Sequence, residues 1–233
     1  MAHASTLEDM SPGLVQGVER APREPEGRFH ALAHRIDVPA LARAYRRQRA
    51  DAAGGVDGVT QEPYGPELEA NLQGLHARLQ AQRSRHQPLR RVRIPKGQGK
   101  TRPRGLSACE DQLVQDAVRE VLEVIYAQDF LDCSYGFRPG RSAHDAVGTL
   151  DQIVPRGEVE WIREADIVSV FDSLDRTELK RRRELRGVDG SLLRLIGTCV
   201  HVGVLDGAAL AEPEMGPTQG SVRSPLVGNV YLH

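Results

Sequence analysis

The chain has 233 residues, enough for one substantial core or two small ones, and its 39% hydrophobic and 27% charged residues suit a soluble globular protein. No apolar run approaches the roughly 20 residues that a bilayer crossing needs. The opening Met-Ala-His-Ala-Ser-Thr-Leu-Glu-Asp-Met has neither the basic start nor the apolar stretch of a signal peptide, so no membrane partner and a cytoplasmic location are expected. A net charge of −1 argues weakly against a nucleic-acid partner, until the distribution of that charge is followed along the chain.

Residues 1–27 are rich in Pro, Gly, Ser and Glu without apolar periodicity, and are expected to be a disordered tail. A helical region follows over 28–82. Its first helix, near 38–49, has Pro39 at the start and apolar residues spaced by three and four; Gly54 and Gly55 lie beyond its end. Its second spans 64–82, with Leu68, Leu72, Leu75 and Leu79 on one stripe, a pattern that is more often core than recognition surface. From 83 to 109 the basic residues are Arg83, Arg85, Arg90, Arg91, Arg93, Lys96, Lys100, Arg102 and Arg104, with no Asp or Glu among them. A solvated face normally mixes both signs, so this run is a local cationic surface. Within it, residues 90–95 alternate basic side chains with Val92 and Ile94, Gly97 and Gly99 make a turn, and 100–106 return: a half-buried β-hairpin.

A helix over 110–130 carries Leu113, Val114, Ala117, Val118, Val121, Leu122 and Ile125 as a broad apolar stripe. Gly136, Pro139 and Gly140 impose a loop that offers Arg138 and Arg141, and 143–153 is again helical. Residues 161–175 read as an apolar strand that delivers Asp166; Glu164 shares its face by alternation. A lone Asp on a strand is far more often a solvated or capping carboxylate than a metal ligand. A helix is expected over 224–232, with Pro225 in its first turn. Cys109, Cys133 and Cys199 are odd in number and lack a Cys-x-x-Cys spacing, so three reduced thiols are expected, without zinc or a disulfide.

Four segments change the weight of Asp166. Residues 90–106 (Arg-Arg-Val-Arg-Ile-Pro-Lys-Gly-Gln-Gly-Lys-Thr-Arg-Pro-Arg-Gly-Leu) resemble the first fingers motif of reverse transcriptases of the group II intron maturase kind, and 134–144 (Ser-Tyr-Gly-Phe-Arg-Pro-Gly-Arg-Ser-Ala-His) resemble the next signature. Residues 161–175 resemble the palm motif with the first catalytic Asp, and 216–233 the palm motif after it; Gly55-Val-Asp-Gly-Val-Thr60 matches the N-terminal region. The resemblance implies an α/β (α+β) fold, with fingers over 83–160 and a partial palm over 161–233. In that family a Tyr-Ala-Asp-Asp hairpin with the remaining metal carboxylates follows, then a thumb, and a chain truncated before them is expected.

The same resemblance implies roles. Asp166 would be the catalytic, shared ligand of two Mg²⁺ ions, with the backbone carbonyl of Ile167 facing a metal. Lys96 and Arg102 would contact the phosphates of the incoming nucleotide, Phe171 would pack beneath its sugar, and Gln219 would touch nucleotide or template. Arg90, Arg91, Arg93, Arg138 and Arg141 would bind nucleic acid. The implied partners are RNA as intron or template, primer DNA and dNTPs, with a missing C-terminal portion as a conceivable partner in trans. Some positions depart from the family pattern: Pro217-Thr218 stands for Thr-Pro, Ser169-Val170-Phe171 for Gly-Phe-Phe, and Arg223 for an apolar residue. The expected function is that of an RNA-directed DNA polymerase, a nucleotidyltransferase of a mobile element, present as an inactive fragment. The alternatives are a non-catalytic RNA-binding maturase remnant and an unstable fragment without a role.

Overall fold

The computed structural model describes residues 27, 29–30, 32–97, 99–126, 129–157, 159–167, 189–200, 202–207, 209–211 and 228–231. Helix α1 (Val38–Arg47) starts where the Asp37 side chain accepts from Ala40 N at 2.8 Å, with Pro39 in the first turn. The helix expected over 64–82 is divided in two: a short α2 (Gln61–Tyr64) and α3 (Leu68–Gln80). The break falls at Gly65-Pro66, where Gly65 is still helical but Pro66 has no N–H with which to continue the ladder. Leu72 and Leu75 of the predicted stripe are buried, and Leu68 and Leu79 pack on the same core.

The hairpin forms as expected from β1 (Leu89–Gly97) and β2 (Lys100–Leu106), antiparallel from Arg90↔Leu106 to Pro95↔Thr101, with a register shift between Pro95 and Gly97. Helix α4 (Cys109–Tyr126) then crosses the centre of the molecule. Every residue of its predicted stripe is buried, and so are Asp111, Gln115, Asp116 and Glu120 on other faces. Helix α5 (Ala143–Ile153) is closed by a capping box, Ser142 with Asp145, and buries none of its residues.

The last described elements are α6 (Gly190–Val200), β3 (Val204–Asp206) and β4 (Ala209–Ala211). β3 pairs in parallel with β1 through Leu89↔Val204 and Arg90↔Leu205, and antiparallel with β4, giving the sheet order β2-β1-β3-β4. The sheet is therefore mixed. The main core gathers Leu41, Leu72, Leu75, Leu113, Val118, Ile125 and Ile196 from α1, α3, α4 and α6, and a small second cluster of Leu89, Val202 and Val204 sits under the base of the hairpin.

One predicted element is different. Residues 161–167 form no strand and are exposed, Trp161 at 89%. A strand needs a neighbour to hydrogen-bond, and among the described residues the sheet is made of β1 to β4 alone. The helix expected over 224–232 is described only at 228–231, where it is helical and Val230 joins the core.

Candidate nucleic-acid interface

Residues opposite each other in an antiparallel ladder point to the same side. The register therefore gives the hairpin two faces. One carries Val92, Ile94, Arg102 and Arg104; the other carries Arg91, Arg93, Pro95, Thr101, Pro103 and Gly105. Lys96 sits at the bulged tip. The strand is buried only at its base, at Leu89, and is exposed from Arg93 onward, with Ile94 at 43%. The half-buried strand expected here is thus a projecting arm, on which Lys96, Arg102 and Arg104 are all exposed. An amphipathic alternation signals which side chains share a face, but not whether anything covers it.

The base of the arm is fixed by close backbone approaches. Arg90 Nη2 donates to Gly54 O at 2.6 Å. A Cβ added to Gly55 would lie 2.5 Å from Ala108 N, so that position requires glycine, and one on Gly105 would lie 2.9 Å from the Leu89 side chain, which would have to shift. Within Gly55-Val-Asp-Gly58, Asp57 Oδ1 accepts from Val59 N at 3.1 Å and Gly58 takes a positive φ of 68°. The N-terminal motif singled out in the sequence is therefore the seat of the hairpin and of the start of α4.

Arg91, Arg93, Arg138 and Arg141 have protein partners. Arg91 Nη1 and Arg93 Nη2 reach Asp206 Oδ2 at 3.3 and 2.9 Å. Arg138 donates to the carbonyls of Leu131 and Ser134 at 2.8 and 3.1 Å and lies 5.4 Å from the Phe130 ring centroid. Burial lowers the Arg138 pKa, aided by the neighbouring charge of Arg141 and opposed by Asp132. Arg141 pairs with Asp132 Oδ1 at 3.0 Å and covers the Tyr135 ring at 5.4 Å. Both arginines staple the 131–141 loop. Asp206 escaped the sequence reading, although Asp-Gly between apolar residues is a hairpin signal, and Gly207 does open the two-residue loop between β3 and β4 at φ 64°.

Asp166 and Ile167 are exposed, as is Glu164. No group of three His, Cys, Asp or Glu able to hold a metal occurs among the described residues, so these do not by themselves fit a Mg²⁺ site. Phe171 and Gln219, like Asp172 and Asp175, lie outside the described residues. A further array that the sequence reading missed is buried: Cys199 Sγ lies 2.8 Å from His86 Nε2, and His86 Nδ1 3.9 Å from Asp111 Oδ1. With the His86 side chain 1% exposed, no substrate reaches it; it ties the approach to β1 onto α4 and α6. A cleft elsewhere, lined by His34, Leu79, Arg194 and Leu195 among others, holds none of the residues that the family pattern singles out.

Residues 94–233, more than half of the chain, match the family model described as reverse transcriptase (RNA-dependent DNA polymerase), which defines the class. Protein YkfC of Escherichia coli (strain K12) is 34% identical over 220 residues, covering 91% of this chain and 58% of that protein. Group II intron-encoded protein LtrA of Lactococcus lactis subsp. cremoris is 38% identical over 148 residues, covering 63% of this chain and 24% of that protein. The chain belongs to the group II intron-encoded reverse transcriptase and maturase family. It spans little more than half the length of one of these relatives and about a quarter of the other. Among solved structures, a chain of the partial Cas6-RT-Cas1–Cas2 complex matches with a TM-score of 0.52 over 84% of this chain and 33% of that one; at 22% identity it shows the fold alone.

Proposed function

We propose that these residues are the fingers and part of the palm of an RNA-directed DNA polymerase of the group II intron type, and that the hairpin is its grip on phosphate. The observation that carries this reading is the arm itself. Lys96, Arg102 and Arg104 are exposed on a two-stranded projection, inside a run of 27 residues, 83–109, that holds nine cations and no acid. A phosphate backbone or a triphosphate neutralises several such exposed cations together. Lys96, Arg102 and Arg104 meet RNA phosphates in this reading, and Lys96 and Arg102 are also the pair that the family pattern assigns to the phosphates of the incoming nucleotide.

Labelled single-stranded RNA titrated over a range of salt tests this. Replacing Lys96, Arg102 and Arg104 by Gln removes three potential phosphate partners, which at about 0.7 per contact flattens the salt slope by about 2. Equal slopes for the triple variant and the parent would sink the reading. A non-catalytic RNA-binding unit is the second reading, favoured by the exposed Asp166, which belongs to no cluster of three metal ligands among the described residues.

A further inference from the structure

On one face of the hairpin two arginines meet the same carboxylate. Asp206 ends β3, one position beyond the last parallel pair, Arg90↔Leu205, and so lies level with Arg91 and on its face. Its Oδ2 accepts from both Arg91 and Arg93, at 3.3 and 2.9 Å. These two are successive residues of that face, since alternation places Arg93 one pleat above Arg91. The arrangement copies what a phosphate oxygen would do, with one anionic oxygen between two guanidinium groups. It is set by strand register rather than by side-chain chance: β3 is held against β1 by Leu89↔Val204, and Leu89 and Val204 are buried at 4% and 3%. Asp206 comes from the far side of the sequence to a cationic stretch that holds no acid of its own.

We infer that Asp206 is an internal counter-ion which occupies Arg91 and Arg93 as a phosphate would, so that RNA meets the hairpin on the opposite face, that of Ile94 and Arg104. This rests on the phosphate-gripping reading above. Asp206 is then a specificity-determining residue: it limits the number of phosphates the arm neutralises and fixes which face the RNA takes. The pairs are partly open to water, with Arg93 at 60% and Asp206 at 32% exposed. Coulomb energy alone would therefore hold them weakly, and removal of the carboxylate should release both arginines without unfolding the sheet.

The experiment measures binding of the whole chain to a labelled oligouridylate across a salt series, with thermal melts of every variant. Asp206→Asn should steepen the slope of log K against log salt by up to about 1.4, two contacts at about 0.7 each, and tighten binding several-fold at low salt. Arg91→Gln with Arg93→Gln should leave the parent slope unchanged and, combined with Asp206→Asn, cancel its gain. A parent-like slope for Asp206→Asn with an unchanged melt overturns the inference, as does a slope that flattens when Arg91 and Arg93 alone are replaced. Should Asp206→Asn melt early, the arginine pair in the parent background decides, because loss of slope there puts those residues on the RNA already. If the parent shows no salt-dependent binding, the grip reading fails and the inference fails with it; if the parent binds but Asp206→Asn changes nothing, only the inference fails.

Discussion

Asp189 shows how much one carboxylate can organise. Its Oδ2 accepts from Leu32 N and from Ala33 N, the latter at 2.7 Å, while Oδ1 accepts from Ser191 N at 2.9 Å and Leu192 N at 3.2 Å. One side chain thus caps α6 and anchors the turn that precedes α1, more than 150 positions away in sequence. Burial pushes the carboxyl up, but the four backbone donors outweigh it and hold the pKa below the ordinary value. A depressed native pKa means that the group's stabilisation is fully present above the unfolded value, about 3.9, and is lost as pH falls through the native one. Urea midpoints measured from pH 6 downward should therefore fall below about pH 4 more steeply for the parent than for Asp189→Asn. Parallel curves for the two proteins would show that Asp189 plays no such part. Gly55 makes the complementary point: in the sequence it was only a motif letter, and packing against Ala108 gives that letter its reason.

At the scale of elements, the joint between α1 and α4 is the most distinctive. Arg43 donates to Glu120 at 2.5 Å with the two side chains 7% and 2% exposed, and Arg47 bridges Glu120 at 2.7 Å and Asp116 at 2.6 Å. Arg119 extends the network to Asp116 at 2.9 Å and to Glu123. Burial raises the Glu123 pKa, and the Arg119 charge pulls against it. Buried pairs of this kind specify which helices meet more than they add net stability, and breaking one strands the partner's charge. Glu120→Ala should cost about 3–5 kcal/mol by chemical denaturation, since Arg43 is left buried. The double change Arg43→Met with Glu120→Leu should recover most of that loss. A double variant as unstable as Glu120→Ala would argue that the pair contributes net stability of its own. None of this was readable beforehand: α4 reads as an amphipathic helix with a polar face, and nothing in a single helix says that another helix will cover that face.

For the whole molecule, the open question is chemical. Two-metal nucleotidyl transfer needs several carboxylates brought together, and Asp166 is exposed. Primer extension by the purified chain on an RNA template with Mg²⁺ tests whether they come together here: incorporation that vanishes in Asp166→Ala would place the chemistry within these residues, and incorporation that survives Asp166→Ala would remove Asp166 from it. The RNA binding proposed for the arm does not depend on this outcome, because the hairpin is seated by Gly55, Gly105 and β3, well away from Asp166 in sequence.

The sequence by itself determined what depends on neighbours along the chain. Periodicity located α1, α3, α4 and α5, turn residues located the hairpin, and motif order pointed to the family that the comparisons then showed. Tertiary structure decided what depends on residues far apart. The mixed sheet arises because β3 docks on β1 from more than a hundred positions away, and the buried ion pairs because α1 covers the polar face of α4. The exposure of 161–167 and the capture of Arg91 and Arg93 by Asp206 are of the same kind. Local pattern fixes the direction in which a side chain leaves the backbone; only the assembled fold settles whether it meets water, a core or an opposite charge.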